Sequence, residues 1–86
     1  MSSSSLIAGT VRDSKGRPVA QARVFFTGGP EPIPDVAALT DELGAFTLSA
    51  PSPGEYSIGF ALEGFAPVEV KALAGRRDLK IKLSNK

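Results

Sequence analysis

The side chains in this 86-residue sequence that could carry chemistry are its carboxylates, because it holds neither histidine nor cysteine. Those two residue types supply most catalytic bases, nucleophiles and transition-metal ligands, so ordinary triads, thiolate zinc sites and disulfides are excluded. Acid/base catalysis would need a carboxylate pair, for which Asp35, Asp41, Glu42, Glu55, Glu63 and Glu69 are available. Each of these has a simpler role as a turn former or an outward strand residue. Asp41 opens the turn Asp41-Glu42-Leu43-Gly44, where its carboxylate can accept from the following backbone amides. Calcium would suit an oxygen-only ligand set, but a loop with Asp41 and Glu42 alone is too poor in acids to hold it. The expectation is a chain that is not an enzyme, with no catalytic, cofactor-binding or metal-binding residue.

Binding is the remaining chemistry. With no tryptophan, the aromatic candidates are Phe25, Phe65 and Tyr56. Phe25 alternates with Val24 and Phe26 and so faces solvent or a partner, while Phe65 lies at the tip of Gly64-Phe65-Ala66-Pro67. Tyr56 follows a turn at the start of a strand, which predicts a partly buried ring with a corner-type hydroxyl hydrogen bond. The run Pro30-Glu31-Pro32-Ile33-Pro34 forms a stiff, donor-poor ridge suited to protein contacts. The candidate partner-contact residues are therefore Phe25, Pro30, Pro32, Ile33, Pro34 and Phe65.

Ten Lys and Arg against nine Asp and Glu leave a net charge of +1, which offers no footprint for nucleic acid. The one basic concentration, Arg76-Arg77 with Lys80 and Lys82, reads as a solvated strand face with gatekeeping lysines on an edge. Residues 1–5 read as a disordered leader without the basic start and apolar stretch of about 7–15 residues of a signal peptide. No apolar run approaches the roughly 18 residues that span a bilayer, so direct membrane insertion is not expected.

The elements that must position these residues are strands. From Leu6 onward the apolar pattern has period 2 with regular turn signals, and there is no sustained helical stripe. Leu6–Arg12, Ala22–Thr27, Val36–Asp41, Ala45–Ala50, Tyr56–Leu62, a strand around Val68 and Val70, and Leu79–Leu83 give seven strands in one domain over 6–84. Gly9 marks a bulge or a close backbone approach, and Gly44 and Gly54 are the key turn glycines. Tyr56, Ile58, Phe60 and Leu62 alternate against Ser57, Gly59, Ala61 and Glu63, which marks this strand as the centre of a sheet.

Four signals stand in order: Gly16-x-Pro18-Val19-x-x-Ala22-x-Val24, Thr40-Asp41-x-x-Gly44-x-Phe46, Pro53-Gly54-x-Tyr56-x-Ile58 and Gly64-Phe65-x-Pro67. Their spacing resembles the carboxypeptidase regulatory-like (transthyretin-like) domain family over nearly all of Leu6 to Leu83. The resemblance implies an all-β fold, a seven-stranded antiparallel Greek-key β-sandwich of transthyretin (prealbumin) type with Ig-like layering. It also implies a non-catalytic accessory module for protein interaction or structural support, whose partner is another protein or a domain of a parent chain. Its usual settings suggest a cell-envelope or secreted context, with a cytoplasmic one also open. The alternatives are a glycan- or small-ligand-binding module built on Phe25 or Phe65 and, less favoured, a carboxylate-based enzyme. Two features depart from the family pattern: the proline-rich insertion at 28–35, and Phe65 where Tyr is more usual. A transthyretin-related hydrolase of the urate pathway is excluded by the missing histidines. A Lys–Asn crosslink like that of collagen-adhesin B-type domains is excluded because the first strand offers Arg12 in place of Lys.

Overall fold

Alternation of apolar and polar side chains sends every second residue into a shared interior, and this chain does so in seven consecutive segments. In the computed structural model, which describes residues 5–29, 37–50 and 52–85, these are β1 (Ser5–Asp13), β2 (Arg23–Gly28), β3 (Ala37–Leu39), β4 (Ala45–Ala50), β5 (Glu55–Ala61), β6 (Val68–Leu73) and β7 (Leu79–Leu83). They form a three-stranded sheet of order β4-β1-β7 and a four-stranded sheet of order β3-β2-β5-β6. The described residues contain no helix long and apolar enough to cross a membrane.

The core lies between the two sheets. Ile7 and Val11 of β1, Phe46 and Leu48 of β4, and Leu79, Ile81 and Leu83 of β7 meet Val24 of β2 and Tyr56, Ile58 and Phe60 of β5. Phe46 and Phe60 join the sheets through an edge-to-face contact with ring centroids 5.2 Å apart, an arrangement that adds to the burial of both rings. β5 is an interior strand, flanked by β2 and β6, as its alternation implies. Tyr56 is buried against Phe26 at 4.9 Å, and its hydroxyl donates to the Ser52 carbonyl at 2.8 Å and accepts from the Ser52 amide at 3.1 Å. The expected tyrosine corner is present.

One part of the antiparallel expectation needs correction. Four ladders are antiparallel, but β1 and β7 run parallel, with Gly9 beside Leu79 and Asp13 beside Leu83. Alternation shows which face of a strand is buried and is blind to the direction of its neighbour. The pairing accounts for Gly9, because a Cβ there would collide with the backbone and side chain of Leu79. Gly9 marks a close approach, with β1 held in continuous register to β4 across it. Several boundaries also shift by a residue or more. β1 begins at Ser5, inside the expected leader, and β3 ends at Leu39, before the expected Asp41.

Candidate functional site

The acids divide by geometry. Asp41 accepts from the amides of Leu43 and Ala45, both at 2.9 Å, and the Gly44 amide donates to its carbonyl. Asp13 repeats the same device. Its carboxylate accepts from the amides of Lys15 and Arg17 at 2.9 Å and from Arg17 Nε at 3.0 Å. Both turns read Asp-x-x-Gly, and both glycines have positive φ, 81° at Gly16 and 77° at Gly44. The Arg17 amide, with the Lys15 amide and the Arg17 guanidinium, holds the Asp13 carboxyl below the usual carboxylate range despite an opposing contribution from lost solvent. Asp78 is lowered in the same direction by its hydrogen bond and ion pair with Arg76.

Glu42, Glu55, Glu63 and Glu69 are exposed, and Glu69 accepts from the Thr27 hydroxyl across the sheet at 2.5 Å. Asp35 lies outside the described residues. Among the described residues no three acids converge on a point where they could hold a metal ion. Among the described residues Thr40 is the one buried polar side chain. Its hydroxyl donates to the Val19 carbonyl at 2.6 Å and accepts from the Ala22 amide at 2.9 Å.

Of the candidate contact residues, Phe25 and Phe65 are among the described ones. Phe25 points outward from β2, as expected, but it is half-buried because its ring covers Gly59 on β5, where a Cβ would stand 2.7 Å from the ring. Phe65 is also half-buried. Its amide donates to the Leu62 carbonyl, and the segment pairs with the C-terminal residues through an Ala66 amide to Ser84 carbonyl bond and a bridge to Asn85. Pro30, Pro32, Ile33 and Pro34 lie outside the described residues. Of its flanks, Gly29 lies beside the Tyr56 ring near the start of β5, and Ala37 begins β3 opposite Phe25, level with Gly59. Phe65 stands at the end where β5 finishes.

Around Phe25 the register assembles something the one-dimensional pattern does not show. Arg23 lies between Leu39 and Ala61, and Phe25 lies between Ala37 and Gly59, all on the outer face of the four-stranded sheet. Leu39 is 57% exposed. This apolar face continues into an open depression of about 280 Å³ lined by Arg23, Ala61, Leu62, Glu63, Phe65 and Pro67. The signal that could have located it is pairing register, which requires knowing that β2 sits between β3 and β5.

A profile of the carboxypeptidase regulatory-like domain matches residues 6–84. The chain belongs to that family. No curated protein matches the domain in sequence. Among solved structures it is similar to a chain of the type II cohesin–X-dockerin complex of Acetivibrio cellulolyticus carrying an N-terminal interface mutation. There the TM-score is 0.71 at 17% identity over 94% of the domain and 58% of that chain. It is also similar to 3-chlorocatechol 1,2-dioxygenase from Rhodococcus opacus 1CP, with a TM-score of 0.69 at 14% identity over 100% of the domain and 61% of that chain. The domain thus spans less than two thirds of either protein, and identities this low establish a shared fold alone.

Proposed function

We propose that this carboxypeptidase regulatory-like domain is a non-catalytic module that presents the outer face of its four-stranded sheet to another protein or to a neighbouring domain of a parent chain. The carrying observation is Leu39, a large apolar side chain held in solvent beside the apolar strip of Ala37, Phe25, Gly59 and Ala61. Exposed apolar surface set among charges, here Arg23 between Leu39 and Ala61 and Glu69 beyond Gly59, is a mark of a protein contact. The use of Asp13 and Asp41 in turns supports the absence of catalysis. The cohesin–X-dockerin similarity is consistent with an interaction role, since those relatives were crystallised as a complex. A glycan platform is less favoured, because the rings of Phe25 and Phe65 are half-covered by their own sheet and chain end.

The test uses the domain with its covalent or genomic neighbour as the binding partner. Leu39→Lys and Phe25→Ala should each weaken association about tenfold or more, as expected for residues near the centre of a contact, with Leu39→Lys leaving the melting temperature unchanged. Full binding by both variants, or turnover of a substrate by the domain alone, would reject the reading.

A further inference from the structure

The outer face of the other sheet differs in kind. Arg12 projects from β1, and Lys80 and Lys82 project from β7, all exposed. The parallel register sets Lys80 beside Thr10 and Lys82 beside Arg12, and like charges directly opposite on one sheet face repel. With Asp13, Ser14, Gly16 and Ile81 these three cations line an open depression of about 310 Å³, in which Asp13 is the one acid. The nearby acids are already engaged, Asp13 by the amides of Lys15 and Arg17 and the Arg17 guanidinium, and Asp78 by Arg76. The other outward positions of this sheet, Leu6, Ala8, Thr10, Ala45, Thr47 and Ser49, carry no charge.

Protection of a sheet edge accounts for Lys80 and Lys82, because β7 is an edge strand. It does not account for Arg12, which stands on the strand between β4 and β7 with no edge to guard. One guanidinium nitrogen of Arg12 donates to the Gly16 carbonyl at 2.9 Å, which steadies the side chain over the depression and leaves its other donors for a ligand.

We propose that this face docks an extended acidic segment of a partner protein, with carboxylates at alternate positions. Lys80 and Lys82 lie two residues apart on one strand, about 6.6 Å, which is the repeat at which an extended chain presents side chains on one side. The Arg12 fork matches a third carboxylate in geometry as well as charge. Nucleic acid fits less well, because three cations neutralise few phosphates and the described residues of this face offer no aromatic ring on which a base could stack. The inference deepens the interaction-module reading and rests on it.

The experiment titrates the isotope-labelled chain at low salt with an eight-residue peptide of alternating Glu and Thr, and records amide shifts. A Gln-for-Glu peptide, inorganic phosphate and a single-stranded oligonucleotide serve as comparisons. The expected result is movement confined to Thr10–Asp13 and Leu79–Leu83 with the Glu peptide. Lys80→Gln and Lys82→Gln should each weaken binding about two- to fivefold, and Lys71→Gln on the opposite sheet should change nothing. Lys82→Gln should also leave the melting temperature unchanged or raised, since it removes a repulsion.

The proposal is overturned by shifts that map equally to Arg23 and Lys71, by equal binding of the Gln peptide, phosphate or oligonucleotide, or by no response at all. None of those results would count against a contact at the Leu39 face, so the module reading could stand while this docking site falls.

Discussion

The repeated Asp-x-x-Gly turn offers a comparison internal to one molecule. Gly16 and Gly44 hold nearly the same left-handed conformation and donate the same backbone bond to their aspartates. Only Gly44 is packed, since a Cβ there would run into the Val11 carbonyl, while nothing surrounds Gly16. Gly16→Ala should therefore cost only the conformational penalty, about 1–2 kcal/mol, and Gly44→Ala should cost clearly more, with chemical denaturation as the measurement. Equal losses would show that the neighbours of Gly44 yield freely. The aspartates add a pH dependence. Because the folded Asp13 carboxyl titrates below its unfolded value, its contribution to stability is fully present above the unfolded value near pH 4. It fades as pH falls through the lower folded value. Asp13→Asn should flatten the acid limb of a stability-against-pH curve and leave its shape near neutrality unchanged.

Between elements, the buried Thr40 links segments distant in sequence. Besides its two hydroxyl bonds, its amide donates to the Ala22 carbonyl and its carbonyl accepts from Gln21, so the β3 exit is tied to the crossing that carries the chain from β1 to β2. Gln21 is held at φ 67° to make this junction, a conformation that costs a non-glycine residue about 1–2 kcal/mol. Thr40→Val keeps the shape and strands a buried amide and carbonyl. It should lower stability by about 2–6 kcal/mol, a sum over two groups at roughly 1–3 each, while Thr40→Ser should retain most of the stability. Thr40 was legible in the sequence only as part of a turn motif, because burial of a hydroxyl depends on chain segments about twenty residues away. The strands themselves were legible, since alternation and turn glycines are local. The outward exposure of Leu39 was not, because a three-residue strand is too short for its period to be read. Nor was the meeting of Arg12 with Lys82, which depends on a pairing across some seventy residues.

At the scale of the whole molecule, the last strand closes the structure against the first. β7 contributes Leu79, Ile81 and Leu83 to the core, each buried, and the residues just after it carry the bridge from Asn85 to Phe65. Full burial of three such side chains is worth about 1.5–3 kcal/mol each, or roughly 5–9 in all. A domain of this size has a net stability of only about 4–13 kcal/mol. A chain ending at Asp78 would lose that much and also expose one edge of β1, so it should show no cooperative thermal transition and no dispersed amide spectrum. The same reasoning sets the folding rate. The β1–β7 ladder cannot form until nearly the whole chain has been ordered, so refolding should be slow for an 86-residue chain, on the millisecond-to-second scale of sandwiches rather than that of helical bundles. Tyr56 is the only tyrosine and there is no tryptophan, which makes its fluorescence a probe of β5 alone. If β7 docks last, Ile81→Val should speed unfolding and leave refolding unchanged. A proportionate fall in the refolding rate would instead place the parallel pair in the folding nucleus.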